Sequence, residues 1–245
     1  MNTLPALLSI AITLSGSVAL AADSGTKIRV LLVTGGHDFE QPQFFKLFTE
    51  NPEITVKIAE HPRAHDFLRP ESATNYDVLA AYDMHQGISE TAKADLLNWL
   101  KQGKGLVVVH HAIASYQAWP EYSQIIGAHY YLEKTVVDGV PKPRSTYQHA
   151  VHFRIHVVDP ANPVTNGVED FDIYDETYNL FDVAKDVHPL LTTDEPLSNR
   201  VIAWTKNYGP ARVVYLQSGH DHFAYDNPNY QRILKQALRW AAHRN

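Results

Sequence analysis

Short β-branched apolar runs alternating with amphipathic segments constrain this chain more than any other feature. Residues 27–34 read Lys-Ile-Arg-Val-Leu-Leu-Val-Thr and stop at Gly35-Gly36, the pattern of a buried strand closed by a turn. The same reasoning predicts a helix over 41–50 and strands over 54–59 and 76–82. Ser89 is placed to N-cap a helix whose Ala92, Leu96, Trp99 and Leu100 share one face, and Gly103 closes it. Residues 105–109 are apolar almost throughout, as a strand covered on both faces requires. From about 115 to 199 the pattern is less regular and rich in Tyr, His and Pro, with strands predicted at 151–158 and within 171–181. Two more strands follow at 201–205 and 211–217, and Asn227-Pro228 opens the last helix. Tyr230, Ile233, Leu234, Ala237, Leu238 and Ala241 form the apolar stripe of that helix.

Strand–helix alternation of this kind predicts an α/β fold: an open, mostly parallel sheet with helices on both faces. Ligands in such sheets bind beyond the carboxyl ends of the strands. No internal repeat or linker interrupts the chain, so residues 22–245 read as one domain. Residues 1–22 carry no charged side chain, and Ala19-Leu20-Ala21 offers a small-x-small cleavage site. Residues 1–21 therefore read as a signal peptide, giving a periplasmic or secreted protein with no membrane attachment once cleaved; an uncleaved anchor helix is the alternative.

Composition narrows the chemistry. The net charge of −6 argues against a nucleic-acid partner. With no cysteine there can be no disulfide, thiolate metal site or Cys nucleophile. Histidine, at 14 residues, outnumbers glycine at 12. Many of these histidines follow predicted strand ends: His37 after the first, His85 after the third, His110-His111 after the fourth, and His220-Asp221-His222 after the last, at 211–217. Imidazole is both the commonest metal ligand and the acid–base group best matched to neutral pH. Together with a carboxylate it suits Zn²⁺, and also Mn²⁺ or Fe²⁺. His220-x-His222 can chelate if the segment is extended, and Asp38 and Asp221 are candidates to orient imidazoles. If the fourth strand continued, His111 would point away from His110, leaving one of them facing the site. His61, His65, His188 and His243 read as hydrogen-bonded structural residues, and His149, His152 and His156 as core or surface polar groups. Asp175-Glu176-x-Tyr178 is the best carboxylate candidate in the middle region. Tyr116, Trp119, Tyr130, Tyr131, Phe223 and Tyr225 are available either for packing or for stacking on sugar faces. Dinucleotide, phosphate-loop and serine-elbow motifs are absent.

Four motifs carry a family resemblance: Val33-Thr34-Gly35-Gly36-His37-Asp38-Phe39, Gly103-x-Gly105-Leu106 leading to His110, Asp175-Glu176-x-Tyr178, and Gly219-His220. They occur in the order found in the ThuA-like (trehalose utilisation) family, which the chain resembles from about Ile28 to Ala242. That family is related to class I glutamine amidotransferases, so the resemblance implies their flavodoxin-like sheet. In those enzymes a nucleophilic cysteine follows the strand corresponding to Gly105–Val109. His110 stands there in this chain, which removes glutaminase chemistry. The resemblance marks His37, His110, Glu176, Tyr178 and His220 as site residues. Two positions depart from the family: Asn162, where it often has histidine, and His111, where it usually has a small residue. Its association with disaccharide catabolism, including routes through 3-keto sugars, implies a carbohydrate as the small-molecule partner.

The resulting expectation is a metal-assisted enzyme that hydrolyses, eliminates or isomerises a glycoside or keto-glycoside. His37, His110, His220 and Glu176 would bind a divalent metal such as zinc, with His111 and His222 as secondary candidates. The catalytic work would fall to Glu176, Tyr178 and His110. The alternatives are a non-catalytic periplasmic sugar-binding protein and a metal-free His/Glu acid–base pair.

Overall fold

The computed structural model describes residues 26–244; the segment read as a signal peptide lies outside them. The first half comprises β1 (Ile28–Gly35), α1 (Gln41–Thr49), β2 (Ile54–Glu60), a 3-10 turn (Arg63–Leu68), α2 (Pro70–Ala73), β3 (Val78–Asp83), α3 (Glu90–Lys101) and β4 (Gly105–Val109). A second 3-10 turn (His110–Ala114) leads to α4 (Pro120–Ile126), β5 (Ala128–His129) and a small hairpin of β6 (Thr135–Val137) and β7 (Val140–Lys142). There follow β8 (Thr146–Val157), β9 (Phe171–Asn179), β10 (Asp182–Val183) and β11 (His188–Thr192). The chain closes with β12 (Val201–Tyr208), β13 (Ala211–Leu216), α5 (His222–Tyr225) and α6 (Pro228–Ala241).

The main sheet has the order β2-β1-β3-β4-β13-β12-β11-β8-β9. Pairing is parallel from β2 to β13 and antiparallel from β13 to β9. Alternation sorts each parallel strand onto two cores. Ile28, Val30 and Leu32 join the layer under α1 and α6, while Leu31 and Val33 join the layer under α3 and α4. Each of these fully buried aliphatic side chains contributes about 1.5–3 kcal/mol relative to exposure. Helices thus cover both faces, as the sequence pattern requires.

Local signals explain the helix ends. The Ser89 side chain accepts from the Ala92 N–H, and that of Asn227 accepts from Asn229 and Tyr230. All six stripe residues of α6 are buried. The irregular middle departs most from simple alternation. β8 pairs with β11 only through His156 and Val157. Its remainder forms, with β9, a two-stranded arm whose register shifts between Gln148 and Val151.

Gly105 sets the approach of α6 to β4. A Cβ there would come within 2.7 Å of the carbonyl carbon and Cβ of Ala241. Gly105→Ala is expected to destabilise the fold by about 1–3 kcal/mol through overpacking. Chemical denaturation should show a lower midpoint with an unchanged slope.

Candidate functional site

Four parallel strands, β1, β3, β4 and β13, end on one rim, and the chain turns sharply there. Gly36 has φ 83°, and a Cβ on it would lie 2.7 Å from the Met84 carbonyl carbon, so only glycine lets β1 release His37 beside the end of β3. β4 stops at Val109, and His110 opens the following turn at φ 54°, a left-handed conformation rare outside glycine. The premise that β4 continues past Val109 therefore fails. His110 and His111 end up on the same rim with ring centroids 5.4 Å apart, rather than on opposite faces.

His110 is fully buried. Its Nδ1 lies 2.7 Å from the Gln217 carbonyl oxygen, which can only accept, so Nδ1 carries the proton and Nε2 faces the rim. Around Nε2 lie Glu176 Oε2 at 2.9 Å, the Tyr178 hydroxyl at 2.9 Å and His220 Nδ1 at 3.3 Å. Glu176 and Tyr178 are two residues apart on β9 and so project from one face. His220 Nδ1 is also 3.3 Å from Glu176 Oε2. The ligand atoms of His110, Glu176 and His220 all lie within 4.8 Å of one another, a grouping that could hold a metal ion.

Burial works to raise the Glu176 carboxyl, but hydrogen bonds and charge from His110 and His220 outweigh it and hold the group well below the usual carboxylate range. His220 shifts the opposite way, raised mainly by its hydrogen bond to Glu176. Burial pushes the Tyr178 hydroxyl well above its ordinary value, so it stays protonated at neutral pH. Burial likewise holds His111 well below the ordinary histidine range, and neither of its ring nitrogens has a hydrogen-bond partner.

The other predicted residues are distributed around this centre. His37 stands outside the three-residue ligand group. Its ring stacks on His111 at 4.6 Å, and its Nδ1 pairs with the backbone carbonyl of Asp38 rather than a carboxylate. His222 is also outside the group. Asp221 is extended but caps α5, so the chain turns helical at His222, which is clasped by Glu40 at 3.0 Å. Asp175, the neighbour of Glu176, holds the loop that carries His220. Its carboxylate accepts from the backbone N–H groups of Gly219, His220 and Glu176 at 2.8–3.0 Å. Burial pushes its carboxyl upward, and these donors oppose that.

Sequence reasoning missed His149. Its Nδ1 lies 3.2 Å from Glu176 Oε1, because the bulge in β8 and a left-handed Ala150 (φ 61°) turn it toward β9. No periodicity signals such a bulge. A cavity of about 320 Å³ opens over the centre, with His37, His111, His149, Glu176 and Tyr178 in its wall. Of the aromatics considered for stacking, Tyr116, Trp119, Tyr131 and Tyr225 are buried packing residues, and Tyr130 alone lines this cavity.

A second histidine cluster lies on the face covered by α3 and α4. His61 Nε2 pairs with Asp83 at 3.1 Å, both groups almost fully buried, and His85 stacks on His61 at 4.3 Å. The Tyr116 hydroxyl bridges His61 and His65 at 3.2 and 3.1 Å. His61 and His65 are thus hydrogen-bonded structural groups, as their sequence positions suggest.

Fold and rim together define a flavodoxin-like α/β protein with a histidine–carboxylate centre at its strand ends. A family model described as ThuA, trehalose utilisation, matches residues 29–241, and the chain belongs to that carbohydrate-related family. It is similar to a ThuA-like protein of Parabacteroides merdae, at 21% identity and TM-score 0.73, over 89% of this chain and 90% of that one. A ThuA-like protein of Bacteroides uniformis gives 17% identity and TM-score 0.67, over 90% and 93%. A β-galactosidase of Bacillus circulans sp. alkalophilus matches at 11% identity and TM-score 0.57, over 90% of this chain but 32% of that one. At these identities the likeness is one of fold. No curated protein matches the chain.

Asp175→Ala strands three backbone donors at about 1–3 kcal/mol each where buried, so thermal denaturation should show a loss of at least about 2 kcal/mol. His65 is held at about 4, chiefly by burial. A histidine depressed in the fold contributes stability that is complete above about 6.5 and is lost as pH falls toward 4. Urea unfolding between those limits should therefore weaken less steeply with acid in His65→Gln than in the unaltered chain; equal slopes would count against the depressed value.

Proposed function

We propose that this chain is an exported carbohydrate-active enzyme that transforms a glycoside or keto-glycoside at the His110–Glu176 centre with a divalent cation, zinc first among the candidates. The observation that carries this reading is the 2.9 Å approach of His110 Nε2 to Glu176 Oε2. With Nδ1 committed as a donor to Gln217, the short approach of Nε2 to the carboxylate needs either a proton between them, which is the hydrogen bond that lowers Glu176, or a cation in its place. The donor set fits a cation. A tetrahedral site with ligand bonds of about 2.1 Å has edges of about 3.4 Å. The three protein edges measure 2.9, 3.3 and 3.3 Å. Two imidazoles and one carboxylate leave a position open for substrate or water. The His110–Gln217 bond also fits, because a ligating histidine usually donates its other N–H to a carbonyl, carboxylate or water.

A bound divalent cation would polarise a sugar carbonyl or lower the pKa of a water. The chain's own residues supply the rest. Tyr178 keeps its proton at neutral pH and can donate it to a sugar oxygen beside His110. His149 steadies the second oxygen of Glu176 from the cavity side. Buried His111 and the His37 ring stacked on it form part of the cavity wall beside the reacting end. Membership of a trehalose utilisation family supports a sugar as substrate. The small-x-small site at Ala19-Leu20-Ala21 supports export.

Elemental analysis of protein purified without chelators should find close to one transition-metal ion per chain, and Glu176→Gln should lower occupancy by about tenfold or more. EDTA should abolish turnover of a keto-disaccharide and added Zn²⁺ should restore it. Metal-free protein whose turnover ignores EDTA would replace the cation with a His110–Glu176 acid–base pair. Saturable sugar binding without turnover would make the chain a binding protein instead.

A further inference from the structure

The cavity above Glu176 is lined in part by residues that the reaction centre does not use. Arg144 lines it and, among the described residues, makes no ion pair and no hydrogen bond. An exposed unpaired arginine alone says little, because water solvates it at no cost. Its setting is what distinguishes it. Ser145 fixes the chain just after it: the Ser145 N–H donates to the Tyr131 carbonyl, the Tyr131 N–H donates to Ser145 Oγ, and Ser145 Oγ donates to the Leu180 carbonyl. Two residues before it, Lys142 takes the nearby surface carboxylate, Asp182, at 2.6 Å, and the Tyr131 hydroxyl takes the same group at 2.7 Å. The cavity's own carboxylate, Glu176, is committed to three histidines. Arg144 is therefore held on an anchored segment beside a cavity that has no protein anion to spare.

A second group points the same way. Tyr130 lines the same cavity and is only 6% exposed, yet its hydroxyl makes no hydrogen bond among the described residues. The ring is buried but the hydroxyl tip is not, so the O–H opens onto the cavity as a donor available to whatever enters it. Its ring centroid is 5.3 Å from that of Tyr178, which puts the donor next to the reaction centre. Burial pushes the Tyr130 hydroxyl up to about 12, so it carries its proton at neutral pH. An always-charged planar guanidinium beside a protonated phenol suits a group of two or three anionic oxygens. Because the chain as a whole carries −6, an anion gains nothing from the overall field and needs such a local cradle.

We propose that the substrate carries an anionic substituent, a carboxylate or a phosphate ester, seated on Arg144 and Tyr130 while its sugar carbon backbone faces His110 and Glu176. This rests on the carbohydrate reading of the same cavity and adds the substrate's charge.

Calorimetric titration with three probes separates the two ideas: trehalose, trehalose bearing a phosphate on one primary hydroxyl, and trehalose oxidised to a carboxylate at that carbon. At least one charged probe should bind about tenfold more tightly than trehalose, and the tighter of the two identifies the anion. Raising salt to 0.5 M should shrink that margin, as it must for a partly exposed ion pair. Arg144→Gln should cancel most of the margin while leaving trehalose affinity within about twofold, and Tyr130→Phe should reduce it part of the way. Charged probes that bind no better than trehalose, or an Arg144→Gln variant that weakens all three alike, would overturn the anion subsite and leave the carbohydrate reading standing. Failure of all three probes to bind would overturn both.

Discussion

A hydrogen bond between adjacent strand ends governs this site. It runs from His110 Nδ1 to the carbonyl of Gln217, so it ties the end of β4 to the residue just past β13. Because the acceptor is a carbonyl, the bond fixes which nitrogen carries the proton as well as where the ring lies. Every other distance at the centre is measured from the nitrogen this leaves free: to Glu176, to Tyr178 and to His220. The left-handed backbone at His110 is held by the same arrangement, with the strand on one side and the 3-10 turn on the other. Strain of that kind, of order 1–3 kcal/mol, persists only where surrounding structure over-determines the residue. Here full burial and the Gln217 contact provide that constraint.

Glu176 is mostly buried, yet its carboxyl is lowered rather than raised. Burial alone would favour its neutral form. Two imidazoles at 2.9 and 3.3 Å reverse the balance, and a third contacts its other oxygen. The histidine-rich composition thus resolves into different local roles. One set surrounds a carboxylate at the rim; another, His61, His65 and His85, packs with Asp83 and Tyr116 on the α3 side of the sheet. The residues of β3 divide the two. Tyr82 sits in the layer with Phe44, close to His111, while Asp83 faces His61.

Much of the architecture was legible because its signals are local. The β-branched runs of β1 and β4, the Ser89 and Asn227 caps and the stripe of α6 each depend on a few neighbouring residues, and each is observed where the pattern puts it. The convergence of His110, Glu176 and His220 followed from one rule about strand ends plus the motif resemblance. What was not legible depends on long-range or irregular geometry. His149 reaches Glu176 through a bulge, and alternation counted from Val151 gives no warning of it. The same is true of His222: the Asp221 cap starts α5 at His222, and Glu40, distant in sequence, takes its ring. Arg144 and Tyr130 carry no motif at all, and their relation to the cavity exists only once β8 and β9 have folded back over the rim.

The two-stranded arm has a consequence of its own. The imidazoles of His37, His110, His111 and His220 follow the termini of the parallel strands, whereas Glu176, Tyr178, His149 and Arg144 come from the arm and the segment leading into it. The arm's ladder with the sheet is only two residues wide, at His156 and Val157, while Phe153, Ile155, Phe171 and Ile173 bury it against the core. The centre is therefore assembled from two parts joined by a short ladder and a shared core. The β8 bulge and the segment before it set His149 and Arg144, whereas β9 is tied to the nitrogen framework through Asp175, which holds the His220 loop. A fold assembled this way can change what it accepts without rebuilding the scaffold that reacts.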